Sequence, residues 1–275
     1  MEEIAEAVYG NTVVNDLEDF FERYRGIYNM IDMHIHIVPG IDDGARTTEE
    51  ARRMLLQAAD GGTTGMIVTP HCNIEGYFEN FEGPRLEAAF QNFSELAKQT
   101  VPDMKIGFGQ EVYGTLEAPE LIREGRLRTL HNSRYVLMEF PFESSFGYMT
   151  EILMRTYDYG FVPVVAHPER YDIIQEVPWK VEDWVDAGLC IQVNKGSILG
   201  RFGSRPYYAV EYLLQHGLVH LSASDAHRTN TRTAYLNELR SVLNRDYGRG
   251  ITQMMLEDNP DRIWNNQDLL LPKDL

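Results

Sequence analysis

The sequence is poor in cysteine: Cys72 and Cys190 are the 2 thiols in 275 residues, too few for a disulfide framework. Cohesion must come from burying apolar surface, and a reducing compartment is the expectation. Long apolar runs are missing as well, since none approaches the roughly 18 residues that suggest a membrane-spanning helix. The opening segment MEEIAEAVYGNTVVNDLEDF lacks the basic start and apolar stretch of a secretory signal. Together these point to a cytoplasmic protein without membrane insertion. Positive charge is scarce, with 25 basic against 42 acidic residues and a formal net charge of −17. Such a surface repels nucleic acid and anionic lipid, which argues against polynucleotide partners. Internal repeats, low-complexity segments and a dinucleotide-type glycine loop are also absent.

What is present is the composition of a globular protein, 43% hydrophobic and 24% charged. The length suits one α/β barrel with a short appendage. Residues 1–29 form the appendage: DLEDFFERYRG predicts one amphipathic helix ending at Gly26, either a packing helix or an oligomer contact. From residue 30 to 275 short β-rich runs alternate with helical patterns, the signature of βα units around a parallel sheet. The runs are MIDMHIHIV, TGMIVTPH, KIGFGQEVY, YVLMEF, VPVVAHPE, CIQVNK and LVHLSASDAH. Thr47 and Glu50 predict a capping box for the first helix, and Pro84 opens the second. YMTEILMRTYDYG, VPWKVEDWVDAGL and RPYYAVEYLLQHGL each stop at or near a glycine, and TAYLNELRSVLNRDYG and ITQMMLEDNPDRIWNN close the chain. Seven strands in this alternation predict a seven-stranded, TIM-like barrel rather than an open doubly wound sheet.

The metal-competent side chains fall toward the C-terminal ends of these runs, where a parallel barrel keeps its active site. His34 and His36 lie in the first, His71 ends the second, and Glu111, Glu139 and His167 fall late in the third, fourth and fifth. Asp225 and His227 end the seventh. Residues i and i+2 of a strand share a face, so His34 and His36 point together while Ile35 and Ile37 turn toward the helices. A lone His-x-His could be a hydrogen-bonded polar pair. So many ionisable groups in one barrel mouth, however, would repel and resist desolvation unless cations compensate them. Bound divalent ions would also offset part of the −17 charge; three would cancel six negative charges.

The spacing leaves Asp42 and Asp43, in the loop VPGIDDGA, open as a further ligand or as a simple turn. Imidazole and carboxylate without a placed thiolate suit Mn, Fe or Zn; Cys72 points away from His71 and reads as a small buried residue. Metal centres of this kind generate hydroxide near neutral pH, so hydrolysis is the expected chemistry. Arg170 in HPERY and Arg232 in DAHRTNTR follow ligands closely and could grip phosphate oxygens bidentately. The alternative for Arg170 is pairing with Glu169 or Asp172. Arg228, adjacent to His227, is the weaker candidate.

The segments MIDMHIHIVPGIDDG, TPH at 69–71, GQEVY, LMEF, AHPERY, QVNKGSI and SASDAH resemble the polymerase and histidinol phosphatase (PHP) family. More narrowly they resemble its bacterial manganese-dependent protein-tyrosine phosphatases of capsule and exopolysaccharide clusters, from Met30 to about Trp264. The resemblance implies a distorted (β/α)7 PHP barrel with three divalent metals, manganese foremost, and a metal-bridging hydroxide that attacks phosphotyrosine. It implies His34, His36, Asp43, His71, Glu111, Glu139, His167, Asp225 and His227 as ligands, with Arg170 and Arg232 gripping phosphate. The implied partner is the tail of a membrane-associated bacterial tyrosine kinase. The chain departs from the pattern at Ile35, where a small residue is common, and in its N-terminal extension, which leaves a homo-oligomer open. Two other readings stand beside this one: a small-molecule phosphatase such as histidinol phosphatase, and a catalytically silent metal-binding regulator. Amidohydrolase-type chemistry is disfavoured, because Glu139 stands where a carbamylated lysine is common in such sites.

Overall fold

The computed structural model describes residues 29–272. The helix expected in DLEDFFERYRG, and with it the proposed appendage apart from Asn29, falls outside the described residues. Nine strands form two parallel sheets: β1 (Met30–Ile35), β2 (Thr63–Val68) and β4 (Lys105–Phe108) in the order β1-β2-β4. The second sheet runs β3-β5-β6-β7-β8-β9, from β3 (His71–Cys72), β5 (Glu111–Tyr113), β6 (Tyr135–Glu139), β7 (Val162–Ala166), β8 (Cys190–Asn194) and β9 (Leu221–Ala223).

Where the sequence predicted seven strands, the described residues hold nine, in parallel sheets of three and six. All seven sequence runs contain a strand, but the second and third are each broken in two. Pro70 has no N–H to donate to a ladder, so β2 stops before it and β3 begins after it. In the third run the break falls at Gly109 and Gln110. The Gln110 side chain is drawn out of the strand pattern, donating to the Asn80 carbonyl at 2.5 Å and accepting from the Arg128 amide at 2.7 Å. Backbone hydrogen bonds also link the two sheets, from Asp225 N to the His34 carbonyl and from His36 N to the Ala226 carbonyl, each 2.9 Å.

The longer helices are α1 (Thr48–Asp60), α2 (Pro84–Thr100), α3 (Phe146–Asp158), α4 (Ser204–Gln215) and α5 (Asn237–Asp246). Thr47 caps α1 as expected, accepting from the Glu50 amide at 3.1 Å. The reciprocal half of the box shifts by one residue, because the Glu50 carboxylate takes the Arg46 amide at 2.9 Å instead of that of Thr47. VPWKVEDWVDAGL is less helical than its pattern suggested: Pro178–Lys180 form a single 3-10 turn ahead of a short helix, Val181–Asp186. No helix among the described residues is long and apolar enough to cross a membrane.

An irregularity in β1 positions the site. Asp32 pairs with Met66 and Ile35 with Val68, so two residues of β1 oppose one of β2, a bulge that reverses which residues face each side. Before it, Ile31 and Met33 pack with Leu137, Val164 and Leu221 in a cluster of strand residues from both sheets. After it, Ile35 and Ile37 lie with Met54 and Leu55 of α1 and Phe90 of α2. His34 and His36 consequently take over the inner side. A fully buried aliphatic side chain contributes about 1.5–3 kcal/mol, so the apolar floor and the helix layer anchor the two histidines from below and behind.

Candidate metal centre and active site

The strand ends bring nine sequence-predicted residues together. His34 Nε2 lies 3.1 Å from His36 Nε2 and 3.1 Å from Glu111 Oε1. His167 Nε2 reaches the same Glu111 oxygen at 3.0 Å, and His71 Nδ1 the other at 3.0 Å. Glu139 stands 2.7 Å from His71 Nδ1, while Asp43 bridges the mouth at 3.4 Å from His71 Nε2 and 3.3 Å from His227 Nε2. Asp225 Oδ1 lies 3.5 Å from both His34 Nε2 and His227 Nδ1. These residues fall into four overlapping groups: His36, Asp43, His71 and His227; His34, Glu111 and His167; His34, His36 and Asp225; His71, Glu111 and Glu139.

The donor set fits divalent cations on a direct structural test. His71 Nδ1, Asp225 Oδ1 and His227 Nε2 are buried without a hydrogen-bond partner, although each has an oppositely disposed group within 3.5 Å. Neighbouring atoms that approach so closely without hydrogen-bond alignment are aimed past one another, at the space they enclose. Leaving such atoms unsatisfied costs about 1–3 kcal/mol each, a cost that cation binding removes. The local field agrees. Burial disfavours a charged His34, yet Glu111 and Asp225 outweigh it and push its imidazole up to about 9. Burial would likewise raise the carboxyls of Glu111 and Asp225, but the cationic groups around them hold both well below the usual range. His227 goes the other way, pushed down to about 4 by burial and by His36. Anionic surroundings able to retain a proton on a buried imidazole also favour a metal ion in its place.

Asp42 and Asp43, between which the sequence did not decide, point to different sides. Asp43 faces the cluster. Asp42 sits behind it, with Oδ2 2.7 Å from His36 Nδ1 and 3.1 Å from the His71 amide, and Oδ1 2.9 Å from the Gly44 amide. An imidazole that donates Nδ1–H to a carboxylate presents its Nε2 lone pair on the other side. Gly44 is required for this turn, since a Cβ there would collide with the His36 carbonyl oxygen.

Both arginines reach the site. Arg232 donates through Nε to the Asp225 carbonyl at 3.1 Å, and its Nη2 pairs with Asp225 Oδ2. Arg170 Nη1 lies 3.6 Å from the same oxygen. Arg170 pairs with neither Glu169 nor Asp172: the carboxylate beside its guanidinium is Asp225, while Glu169 Oε1 accepts from Ser197 Oγ at 2.7 Å and from the Asn194 amide at 3.0 Å. Arg228 turns away, to the Gly44 carbonyl and to Glu50. His167, Asp225 and Arg232 all have positive φ, at 35°, 49° and 51°. Left-handed backbone at non-glycine residues costs roughly 1–3 kcal/mol each and gathers at functional sites.

Sequence reasoning missed the contribution of β8. Gln192 Oε1 accepts from His34 Nδ1 at 2.9 Å, Gln192 Nε2 donates to Asn194 Oδ1 at 3.0 Å, and Asn194 Nδ2 donates to Asp225 Oδ2 at 2.5 Å. The signal was the alternation in CIQVN, where Gln and Asn repeat at the same spacing as the two histidines. Cys72, as expected, faces the apolar core.

Parallel strands with helices outside, and a cluster of imidazoles and carboxylates under two guanidiniums, define a metal-dependent hydrolase of the α/β class. The chain belongs to the capsular polysaccharide synthesis family CpsB/CapC, whose model matches residues 30–265. It is similar to the tyrosine-protein phosphatase CpsB of Streptococcus pneumoniae, 32% identical over 86% of this chain and 99% of that protein. It is also similar to the tyrosine-protein phosphatase YwqE of Bacillus subtilis, 34% identical over 87% of this chain and 93% of that protein. Among solved structures, one from a study of YwqE and CpsB as metal-dependent tyrosine phosphatases matches with a TM-score of 0.81 and 30% identity. It covers 88% of this chain and 97% of that one.

Proposed function

We propose that this protein is a metal-dependent tyrosine-protein phosphatase acting in the regulation of capsular or exopolysaccharide synthesis. The observation that carries the reading is the convergence, beneath Arg170 and Arg232, of buried imidazole and carboxylate atoms that have no hydrogen-bond partner. In this reading His34, His36, Asp43, His71, Glu111, Glu139, His167, Asp225 and His227 hold three divalent ions, manganese by preference, with iron or zinc as alternatives. Bound ions supply hydroxide from water at neutral pH and offset the charge that builds on the phosphoryl oxygens. Asp42 and Gln192 orient His36 and His34 for that task, while Asn194 and Arg232 orient Asp225. Arg170 and Arg232 bind and align the phosphoryl group through their guanidinium forks. A phenolate leaves with a pKa near ~10, well below that of an alkoxide, so an aryl phosphate asks less of a proton donor.

The two sheets are read as arcs of one distorted barrel. Residues 30–275 are its catalytic unit, and residues 1–29 an extension that could carry oligomer contacts. The substrate we propose is the phosphorylated tail of a membrane-associated tyrosine kinase, met in the cytoplasm. The test is a comparison of initial rates on phosphotyrosine peptide, phosphoserine peptide and histidinol phosphate, after chelation and after adding back Mn, Fe or Zn. Phosphotyrosine turnover that vanishes on chelation and returns with metal is expected. Equal or faster turnover of histidinol phosphate would overturn the assignment.

A further inference from the structure

The Arg170 guanidinium lies over two aromatic rings. Its central carbon lies 4.5 Å from the ring centroid of Phe142 and 4.8 Å from that of Phe202. The rings come from different parts of the chain, Phe142 just beyond β6 and Phe202 between β8 and α4, so the arrangement is a tertiary construction. Phe202 is itself seated by Gly196, where any Cβ would run into its ring. Phe142 packs within 6.4 Å of the His167 ring and 6.3 Å of the Tyr171 ring and remains 40% exposed, which places it at the mouth. A groove of about 520 Å³ opens here, lined by both phenylalanines, Arg170 and Arg205.

A guanidinium packed over aromatic rings spends none of its N–H groups on them. Arg170 has one carboxylate oxygen near it, Asp225 Oδ2 at 3.6 Å, and that oxygen is already used by Asn194 and Arg232. An unclamped arginine at the mouth would sample several rotamers and lose that freedom on each binding event. Stacking removes the loss beforehand, with the fork directed at the cluster.

We propose that Phe142 and Phe202 are positioning residues that pre-set Arg170 to grip the phosphoryl group. This rests on the phosphatase reading above. The variants are Phe142→Leu and Phe202→Leu, which keep apolar bulk and remove the aromatic face, with Phe142→Tyr as the conservative partner at the exposed position. Each leucine variant should bind metal as wild type does, lose roughly tenfold in kcat/KM on phosphotyrosine peptide, and bind inorganic phosphate weaker by a similar factor. Phe142→Tyr should retain activity.

The decisive arm repeats both leucine changes in an Arg170→Ala background, assayed at high enzyme concentration. Because the rings act through Arg170, they should cost nothing further there. Full additivity, or wild-type phosphate affinity in both leucine variants, overturns the clamp. Normal turnover by Arg170→Ala alone refutes instead the phosphate-gripping role assigned to that arginine, so the two failures are distinguishable. Should Phe202→Leu fold poorly, the exposed Phe142 pair still decides the matter.

Discussion

Replacing Asp42 by asparagine isolates a residue that touches the centre only through its neighbours. The side chain is wholly buried, and its Oδ2 faces two groups at once, His36 Nδ1 at 2.7 Å and the His71 amide at 3.1 Å, while Oδ1 takes the Gly44 amide at 2.9 Å. An amide is almost the same size but carries donors on one side. With its oxygen toward Gly44, its NH2 group meets the His71 N–H and asks His36 to become an acceptor at Nδ1. That tautomer puts the proton on Nε2, the atom that faces the metal groups. Flipped, the amide confronts the Gly44 N–H instead. Either orientation leaves at least one buried donor unpaired, at about 1–3 kcal/mol. The unpaired donor lowers stability with or without metal, whereas the tautomer change reaches the metal groups, and loss of a group that orients a ligand in this way costs roughly 10- to 100-fold in metal affinity. The assay is phosphotyrosine hydrolysis titrated with free Mn from a chelator-buffered stock, alongside calorimetric metal titration. Asp42→Asn should shift the metal dependence to higher concentration and recover much of its kcat at saturation, whereas Asp43→Asn should not recover. An unchanged metal midpoint in Asp42→Asn would show that the tautomer argument is wrong.

Two other perturbations follow from the same geometry. Gly44→Ala should lower metal affinity and the melting temperature together, because the added carbon meets the His36 carbonyl and must displace the ligand-bearing turn; wild-type metal binding would contradict this. His220 tests the pH dependence of stability away from the cluster. Its Nδ1 accepts from the Ile191 amide at 3.1 Å, and burial pushes the imidazole down to about 4. Between pH 4 and 6.5 the unfolded chain binds a proton there that the folded chain refuses, so stability falls as pH falls through that window. The loss amounts to about 3 kcal/mol over the window. In denaturant titrations His220→Gln should be less stable at pH 7 yet show a shallower loss toward pH 4; parallel slopes would rule out His220 as the cause.

The ring of imidazoles and carboxylates was legible because metal chemistry restricts residue type and strands repeat every two residues. His34 with His36, and Asp225 with His227, announced themselves by spacing, and their placement late in successive runs announced a common face. The strand interruptions were less legible. Pro70 was visible, but a sequence window cannot weigh a local break against the pairing of its neighbours, and Gln110 leaves its strand for the distant Asn80 and Arg128. The bulge in β1 was hidden for the same reason: it is a property of pairing with β2, not of MIDMHI alone.

By itself, then, the sequence determined the alternation of strands and helices and nearly all of the imidazoles and carboxylates that gather in the cluster, since these depend on residue type and local periodicity. Tertiary structure decided what depends on distance across the fold. It set Asp42 behind His36 and Asp43 before His71 and His227, although the two are adjacent in the chain with the same side chain. It brought Gln192 and Asn194 behind His34 and Asp225, and it placed the rings of both Phe142 and Phe202 against Arg170. Each of these joins residues from separate strands or loops, and only packing of the sheets fixes such distances.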